Sequence, residues 1–267
     1  MTGAARGTKA SRSGRAPLRL ALVLCAALLV AGFVALGSWQ LQRLYWKNAL
    51  VERIEQRVHA AAAAPPGAAA WPHFDAGAEE YRHVRLAGIF LDNLDTRVQA
   101  VTVLGSGYWL LTPLCRADGT IVLVNRGFIP PGGEARLPAA TRSAQGDACV
   151  PRARSDAAPG AVEVTGLLRI SEPGGAFLRH NDAFKNRWYS RDVAAIATAR
   201  GLARVAPFFV DVDADAGPPG ASGQPVGGLT VIHFNNNHLA YALTWYAMAL
   251  MVLAACVWLV REARSAR

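Results

Sequence analysis

The chain has 267 residues, 52% of them apolar, and a formal charge of +9. That basicity does not point to nucleic acid. Arg6, Lys9, Arg12, Arg15 and Arg19 supply five positive charges at one end, and Arg261, Glu262, Arg264 and Arg267 a net two at the other, leaving about two for everything between.

Each basic tail abuts an uncharged apolar run, Leu20–Ser38 and Tyr241–Val260. At about 1.5 Å per residue each run is one bilayer crossing. Positive flanks stay in the cytoplasm, so both termini are expected there and the middle of the chain outside. The expected organisation is a basic tail (1–19), a transmembrane helix (20–38), an extracytoplasmic β-rich domain (39–240) with flexible inserts near 130–160 and 213–228, a second transmembrane helix (241–260) and a short tail (261–267). A cleaved signal peptide is the alternative for the first run, with Ala35 and Gly37 as a small-residue cleavage site. Against it, the run exceeds a usual signal core and its helical pattern continues. Gly32 and Gly37 also suggest a small-residue packing face.

Beyond Ser38, the residues Leu41, Leu44, Leu50, Val51, Ile54 and Val58 recur at three- and four-residue spacing, predicting a helix that runs on towards His59. Trp39, Tyr45 and Trp46 are the aromatics expected where a span leaves the bilayer. Pro65-Pro66-Gly67 closes the segment. Strands are predicted over Arg82–Gly88, Arg97–Leu104, Tyr108–Cys115, Thr120–Arg126, Val162–Ile170, Val205–Val212 and Leu229–Phe234. Gly105-Ser106-Gly107 and Asp118-Gly119 read as turns, Asn125-Arg126-Gly127 as a turn at a strand end, and Gly88 as a bulge or tight corner. A short helix over Val193–Arg200 would be capped by Ser190 and stopped by Gly201. The fold class is thus a membrane α-helical hairpin, two transmembrane helices flanking a β-rich α+β extracytoplasmic domain, compatible with a partly closed barrel.

Two cysteines, Cys25 and Cys256, lie in the spans as apolar fillers. Cys115 and Cys149 fall in the exported domain, where a disulfide is permitted. Cys149, however, sits in a segment that reads as a poorly structured insert, which weighs against pairing. Enzyme motifs are absent: no Walker A loop, H-E-x-x-H, G-x-S-x-G or dinucleotide fingerprint, and no C-x-x-C. No enzymatic activity is expected.

The informative polar cluster runs from His233 to Tyr246. With a helix beginning near Asn237, His238, Tyr241, Thr244 and Trp245 fall along one side. A neutral imidazole is a common ligand of haem iron, aromatic neighbours can cover a macrocycle, and Arg43, one turn beyond Trp39, can meet propionates. The same residues also suit a plain interface, with Asn and His capping a helix, aromatics in the belt and Arg43 reaching for headgroups. Spacing alone favours the plainer account.

The order of segments resembles the Surfeit locus protein 1 family. The likeness rests on Gly37-x-Trp39-Gln40-x-x-Arg43-x-x-Trp46-Lys47, Tyr81 with Gly88-Ile89-Phe90, Val124-Asn125-Arg126-Gly127-Phe128, Gly166, Asn186-x-Trp188-Tyr189 with Asp192, and Asn236-Asn237-His238-Leu239-x-Tyr241-Ala242-Leu243-Thr244-Trp245. It covers both spans and most of the domain. Phe128 replaces the family's usual Trp, and the Pro130–Gly160 insert is longer than usual. The resemblance implies a factor assembling the haem a-containing subunit I of cytochrome c oxidase, in a bacterial inner membrane with the main domain periplasmic, working beside the haem a synthesis machinery. It further implies haem a binding, with His238 as axial iron ligand and Tyr241, Trp245, Arg43 and Trp39 around the cofactor. A scaffold that stabilises nascent subunit I without binding haem is the alternative.

Overall fold

A computed structural model describes residues 15–132, 149, 160–176, 179–214, 225–230 and 236–265. Most of the expected 130–160 insert, positions 215–224 of the second loop, and the end of the predicted strand Leu229–Phe234 lie outside these residues. The chain divides into a helical unit, Met1–Glu52 with His233–Arg267, and a β unit, Arg53–Ile232.

The helical unit is built from α1 (Arg15–Val58), whose last residues belong to the β unit, and from α4 (His238–Ser265). Both are long and apolar enough to cross a membrane. The continuous helix from the first apolar run to Val58 matches the periodicity, because neither glycine nor proline interrupts Trp39–Val58.

In the β unit, β1 (His83–Phe90), β2 (Thr96–Thr102), β3 (Gly105–Cys115), β4 (Ile121–Ile129), β5 (Val162–Ile170) and β8 (Val205–Val212) form one sheet. β6 (Gly175–Ala176) and β7 (Arg179–His180) make a separate small hairpin. The sheet order is β1-β5-β8-β4-β3-β2, and β1 also pairs with β3 through Ile89 opposite Cys115 and Phe90 opposite Leu114. That seam closes a five-stranded barrel, with β2 left as an extension on β3. Closure is complete where the sequence suggested only a partial one. Gly88 explains it: a Cβ there would lie 2.4 Å from the Cys115 carbonyl oxygen, so only glycine lets β1 come this close to β3.

Inward-pointing residues of all five barrel strands form the main core: Val84 and Leu86, Leu114, Val122 and Val124, Val164 and Leu168, and Ala206, Phe208 and Val210. Their period of two is the strand repeat. A 3-10 helix, Ala68–His73, lies just before Phe74, which stacks on Phe208 at 5.4 Å between ring centroids. Burying each such large side chain contributes about 1.5–3 kcal/mol. The opposite sheet face carries a second cluster, where Val98, Leu111, Leu123 and Phe209 meet Trp188 and, from α3 (Val193–Arg200), Val193 and Ile196. β4 and β8 are the parallel neighbours of the barrel; the chain between them passes through β5, the β6–β7 hairpin and α3, the long connection that a parallel pair requires.

Several expectations shift in detail. α3 has the predicted bounds, but its cap is Asp192, accepting from the Ala195 amide at 3.0 Å. Ser190 instead donates to the Glu172 carbonyl oxygen at 2.7 Å. Asn125-Arg126-Gly127 lies inside β4 as a bulge: Trp109 faces Phe128 while Leu111 faces Asn125, so β4 carries one extra residue. Gly127, at φ +131°, supplies the backbone twist there. Gly105-Ser106-Gly107 starts β3, and the turn sits just before it.

Cys115 and Cys149 are joined in a disulfide across a sequence separation of 34, packed with Leu91, Leu94 and Ile121. The Pro/Gly/Ala/Arg-rich composition around Cys149 hid the buried site that receives it. Tethering a loop of this length restricts the unfolded chain by about 4 kcal/mol in the loop-closure treatment. Cys149→Ala should therefore lower the denaturation midpoint of the purified protein by an amount equivalent to roughly 2–4 kcal/mol. Reductant should do the same to the wild type and nothing to the variant; a variant as stable as oxidised wild type contradicts the tether.

Candidate functional site in the helical unit

α1 and α4 pack antiparallel. Moving along α1, Phe33 stacks on Trp245 at 5.8 Å, Gly37 lies under the Tyr246 ring, and Ser38 Oγ is 3.2 Å from the Tyr246 hydroxyl. Further along, Gln40 meets His238 and Asn48 meets Asn236. Gly37 is buried because a Cβ would sit 2.8 Å from the Tyr246 ring carbons. On α4 the buried positions are Ala242 and Ala249. Small residues at the crossing let the helices approach closely, the usual source of association in lipid. Gly32, by contrast, is exposed and faces open space.

His238 is the first residue of α4, and the Tyr241 amide closes the first turn onto the Asn237 carbonyl at 3.2 Å. The half-buried His238 ring uses Nδ1 to contact Oε1 of Gln40 at 2.7 Å. A side-chain carbonyl accepts only, so Nδ1 is the donor, and in the neutral form of the ring Nε2 is the nitrogen with the lone pair. That is the state in which an imidazole binds a metal, and an outer-shell carbonyl on the other nitrogen is the usual way to hold it. Asn236 flanks the ring: its Nδ2 donates to Asn48 Oδ1 at 2.8 Å. The start of the polar cluster, His233 to Asn235, lies outside the described residues.

The other predicted residues separate into two groups. Trp245 joins His238 on the side of α4 facing α1, half-buried against Phe33. Tyr241 is 55% exposed, and Thr244, also exposed, returns its hydroxyl to the Ala240 carbonyl oxygen at 2.9 Å. On α1, the Arg43 guanidinium lies over Trp39 at 5.8 Å and Trp46 at 5.5 Å, an exposed cation held on two indole faces. Arg43 thus has a fixed position from which to meet an anion. Gln40, Asn48 and Asn236 are the polar residues to which the motifs had assigned no role. Gln40 falls on the same stripe of α1 as Phe33, Gly37 and Leu44, and that periodicity marks it as facing a partner helix.

The β unit holds its charges differently. Asp211, almost fully buried, accepts from Asn125 at 2.8 Å, Arg169 at 3.0 Å, Thr230 at 2.9 Å and Arg191 at 3.2 Å. Arg191 also grips Glu172, through Nε at 3.1 Å and through Nη2. Burial tends to raise the Glu172 pKa, but the Arg191 hydrogen bonds and charge prevail and lower it. Apart from Arg169 Nε, which has no hydrogen-bond partner, the donors of this cluster meet acceptors, so it is a largely satisfied structural network. Likewise Asn181 Oδ1 takes the Tyr189 and Ser190 amides at 2.8 and 3.2 Å, and Trp188 Nε1 donates to Asn186 at 2.9 Å. These motif residues shape the domain. Among the described residues no group of three or more His, Cys, Asp or Glu could hold a metal ion.

Two helices long and apolar enough to cross a membrane, with a closed β-barrel in the chain between them, define the class as a membrane protein with a β-rich domain. The SURF1 family model matches residues 27–250. Among relatives, a SURF1-like protein of Monosiga brevicollis is 33% identical over 85% of this chain and 83% of its own length. Surfeit locus protein 1 of Mus musculus is 30% identical over 83% of this chain and 70% of its own, and that of Homo sapiens 29% over 80% and 69%. The chain belongs to the SURF1 family.

One buried carboxyl stands apart from the satisfied network. Asp95 accepts from the Thr112 hydroxyl through Oδ1, Oδ2 has no hydrogen-bond partner, and desolvation pushes its pKa from 3.8 up to about 6. The fold therefore favours the neutral acid. Stability is full below the unfolded value and is lost as pH rises through about 6, on the order of 3 kcal/mol in all. Subtracting the pH–stability curve of Asp95→Asn from that of the wild type should give this downward step between pH ~4 and ~6; a flat difference curve contradicts it.

Proposed function

We propose that this chain is an assembly factor for haem-copper cytochrome c oxidase, not an enzyme, which holds haem a at the outer membrane interface and passes it to subunit I. In this reading the membrane is a bacterial inner membrane, the termini are cytoplasmic and the β unit is periplasmic, beside the haem a synthesis machinery. Three observations support the placement: Lys/Arg-rich flanks on both spans, a disulfide suited to an oxidising compartment, and membership of the SURF1 family.

The observation that carries haem binding is the His238–Gln40 pair at the head of an apolar helix. With Nδ1 turned to Gln40, the ring leaves Nε2 to meet an iron where a lipophilic porphyrin can keep its farnesyl tail in lipid and its propionates in the interface. Trp245 and Tyr241 supply aromatic surface, and Arg43, seated on Trp39 and Trp46, supplies the cation for a propionate.

A second reading has its own observation. The tip of the β2–β3 hairpin leaves Val101 and Val103 more than 80% exposed, and Phe184 is 99% exposed on the loop after β7. Such apolar points suit docking onto a protein partner. A scaffold for nascent subunit I needs no cofactor. Co-expression with haem a synthesis followed by a pyridine haemochrome spectrum separates the readings. Purified wild type should carry haem a, and His238→Ala should lose it while keeping its fold. A haem-free wild type that still co-purifies with subunit I favours the scaffold, and an unchanged haem spectrum in the variant rules His238 out.

A further inference from the structure

Resting on the haem reading above, we infer that Gln40 is a positioning residue that sets both the tautomer of His238 and the strength with which its Nε2 can hold iron. The contact between Nδ1 and the Gln40 carbonyl oxygen, 2.7 Å, lies within the helical unit. It sits beside the Asn236–Asn48 bond, and one turn of α1 on from Gly37, where Tyr246 overlies the backbone. These neighbours fix the height of α4 against α1, so the amide of Gln40 meets the imidazole edge in a defined register.

The chemistry of the acceptor then matters. With no acceptor at Nδ1, the proton distributes between the two ring nitrogens, and molecules protonated at Nε2 cannot ligate. With a carboxylate acceptor, the N–H bond is polarised strongly, the ring becomes a more basic donor and iron is held tightly. A neutral amide carbonyl lies between: it fixes the proton on Nδ1 without pushing the ring towards imidazolate. A permanent haem site gains from a strong donor. A carrier gains from a weaker one, since its cargo has to leave. Among the described residues, the glutamine side chain is the hydrogen-bond partner of His238 Nδ1, so residue 40 selects between these regimes.

The test uses full-length protein in detergent with Gln40→Glu and Gln40→Leu, read in two ways. Nitrogen-15 NMR of histidine-labelled, haem-free protein reports the tautomer directly. Wild type should show the His238 ring protonated at Nδ1, and the Leu variant a shift towards the Nε2-protonated form. Haem-loaded protein is then mixed with apomyoglobin to time release. Outer-shell changes typically alter metal affinity by 10–100-fold. On that scale the Leu variant should release haem at least about 10-fold faster, and the Glu variant about 10-fold more slowly with a lowered iron reduction potential. If tautomer and release rate match wild type in both variants while His238→Ala has lost haem, Gln40 has no such role and the ligand assignment stands. If His238→Ala retains haem, the ligand assignment itself is overturned.

Discussion

The helical unit depends on how α1 and α4 meet, and the contact with chemical consequence is the hydrogen bond between the His238 imidazole and the Gln40 amide. Lipid offers helices no hydrophobic reason to associate. The close approach comes instead from small residues, Gly37 on one helix and Ala242 and Ala249 on the other. Within that frame polar pairs stand at one end of the crossing, Gln40 with His238 and Asn48 with Asn236. A polar side chain at a membrane boundary costs free energy unless it finds a partner, so these pairs also specify register. In the proposed reading, the same bond that satisfies the ring prepares it as a ligand.

The β unit solves a different problem. A sheet edge is a liability, and closing β1 onto β3 removes it from the barrel. Its central buried charges are paired, with Arg191 held between Asp211 and Glu172 and stacked over Phe209 at 4.7 Å from the ring centroid. Breaking one partner of such a group leaves the other buried and uncompensated, which makes the cluster a strong constraint on the fold even where its net contribution is small. Asn125, Asn181, Asn186, Trp188 and Asp192 look chemically interesting as sequence, yet each is occupied in holding a turn, a cap or a strand.

Much of this was legible from the chain alone. Charge asymmetry and uninterrupted apolar runs marked the helices, and β5, α3 and β8 have the bounds predicted, because each is an apolar run bounded by Gly, Pro or polar residues. What was hidden depends on long-range contact. Nothing local to Gly88 announces that another strand's carbonyl approaches it, and nothing in the Ala- and Arg-rich sequence around Cys149 announces a buried cysteine pair. The bulge at Arg126-Gly127 looked like a turn, since glycine with positive φ serves both. At the site, His238 was legible as a motif and Gln40 only as a neighbour of Trp39. Helical spacing put Tyr241 and Thr244 with His238, whereas the structure divides them by which side α1 covers.

The central claim is that one histidine nitrogen, Nε2 of His238, is the group this hairpin offers to a haem iron. Hyperfine spectroscopy of the haem-loaded ferric protein, prepared with nitrogen-15 histidine, measures that directly. A single strongly coupled axial imidazole nitrogen, lost when His238 alone is replaced by an unlabelled non-ligating residue, is the expected result. An iron centre with no histidine coupling, or one whose coupling survives that replacement, contradicts the account.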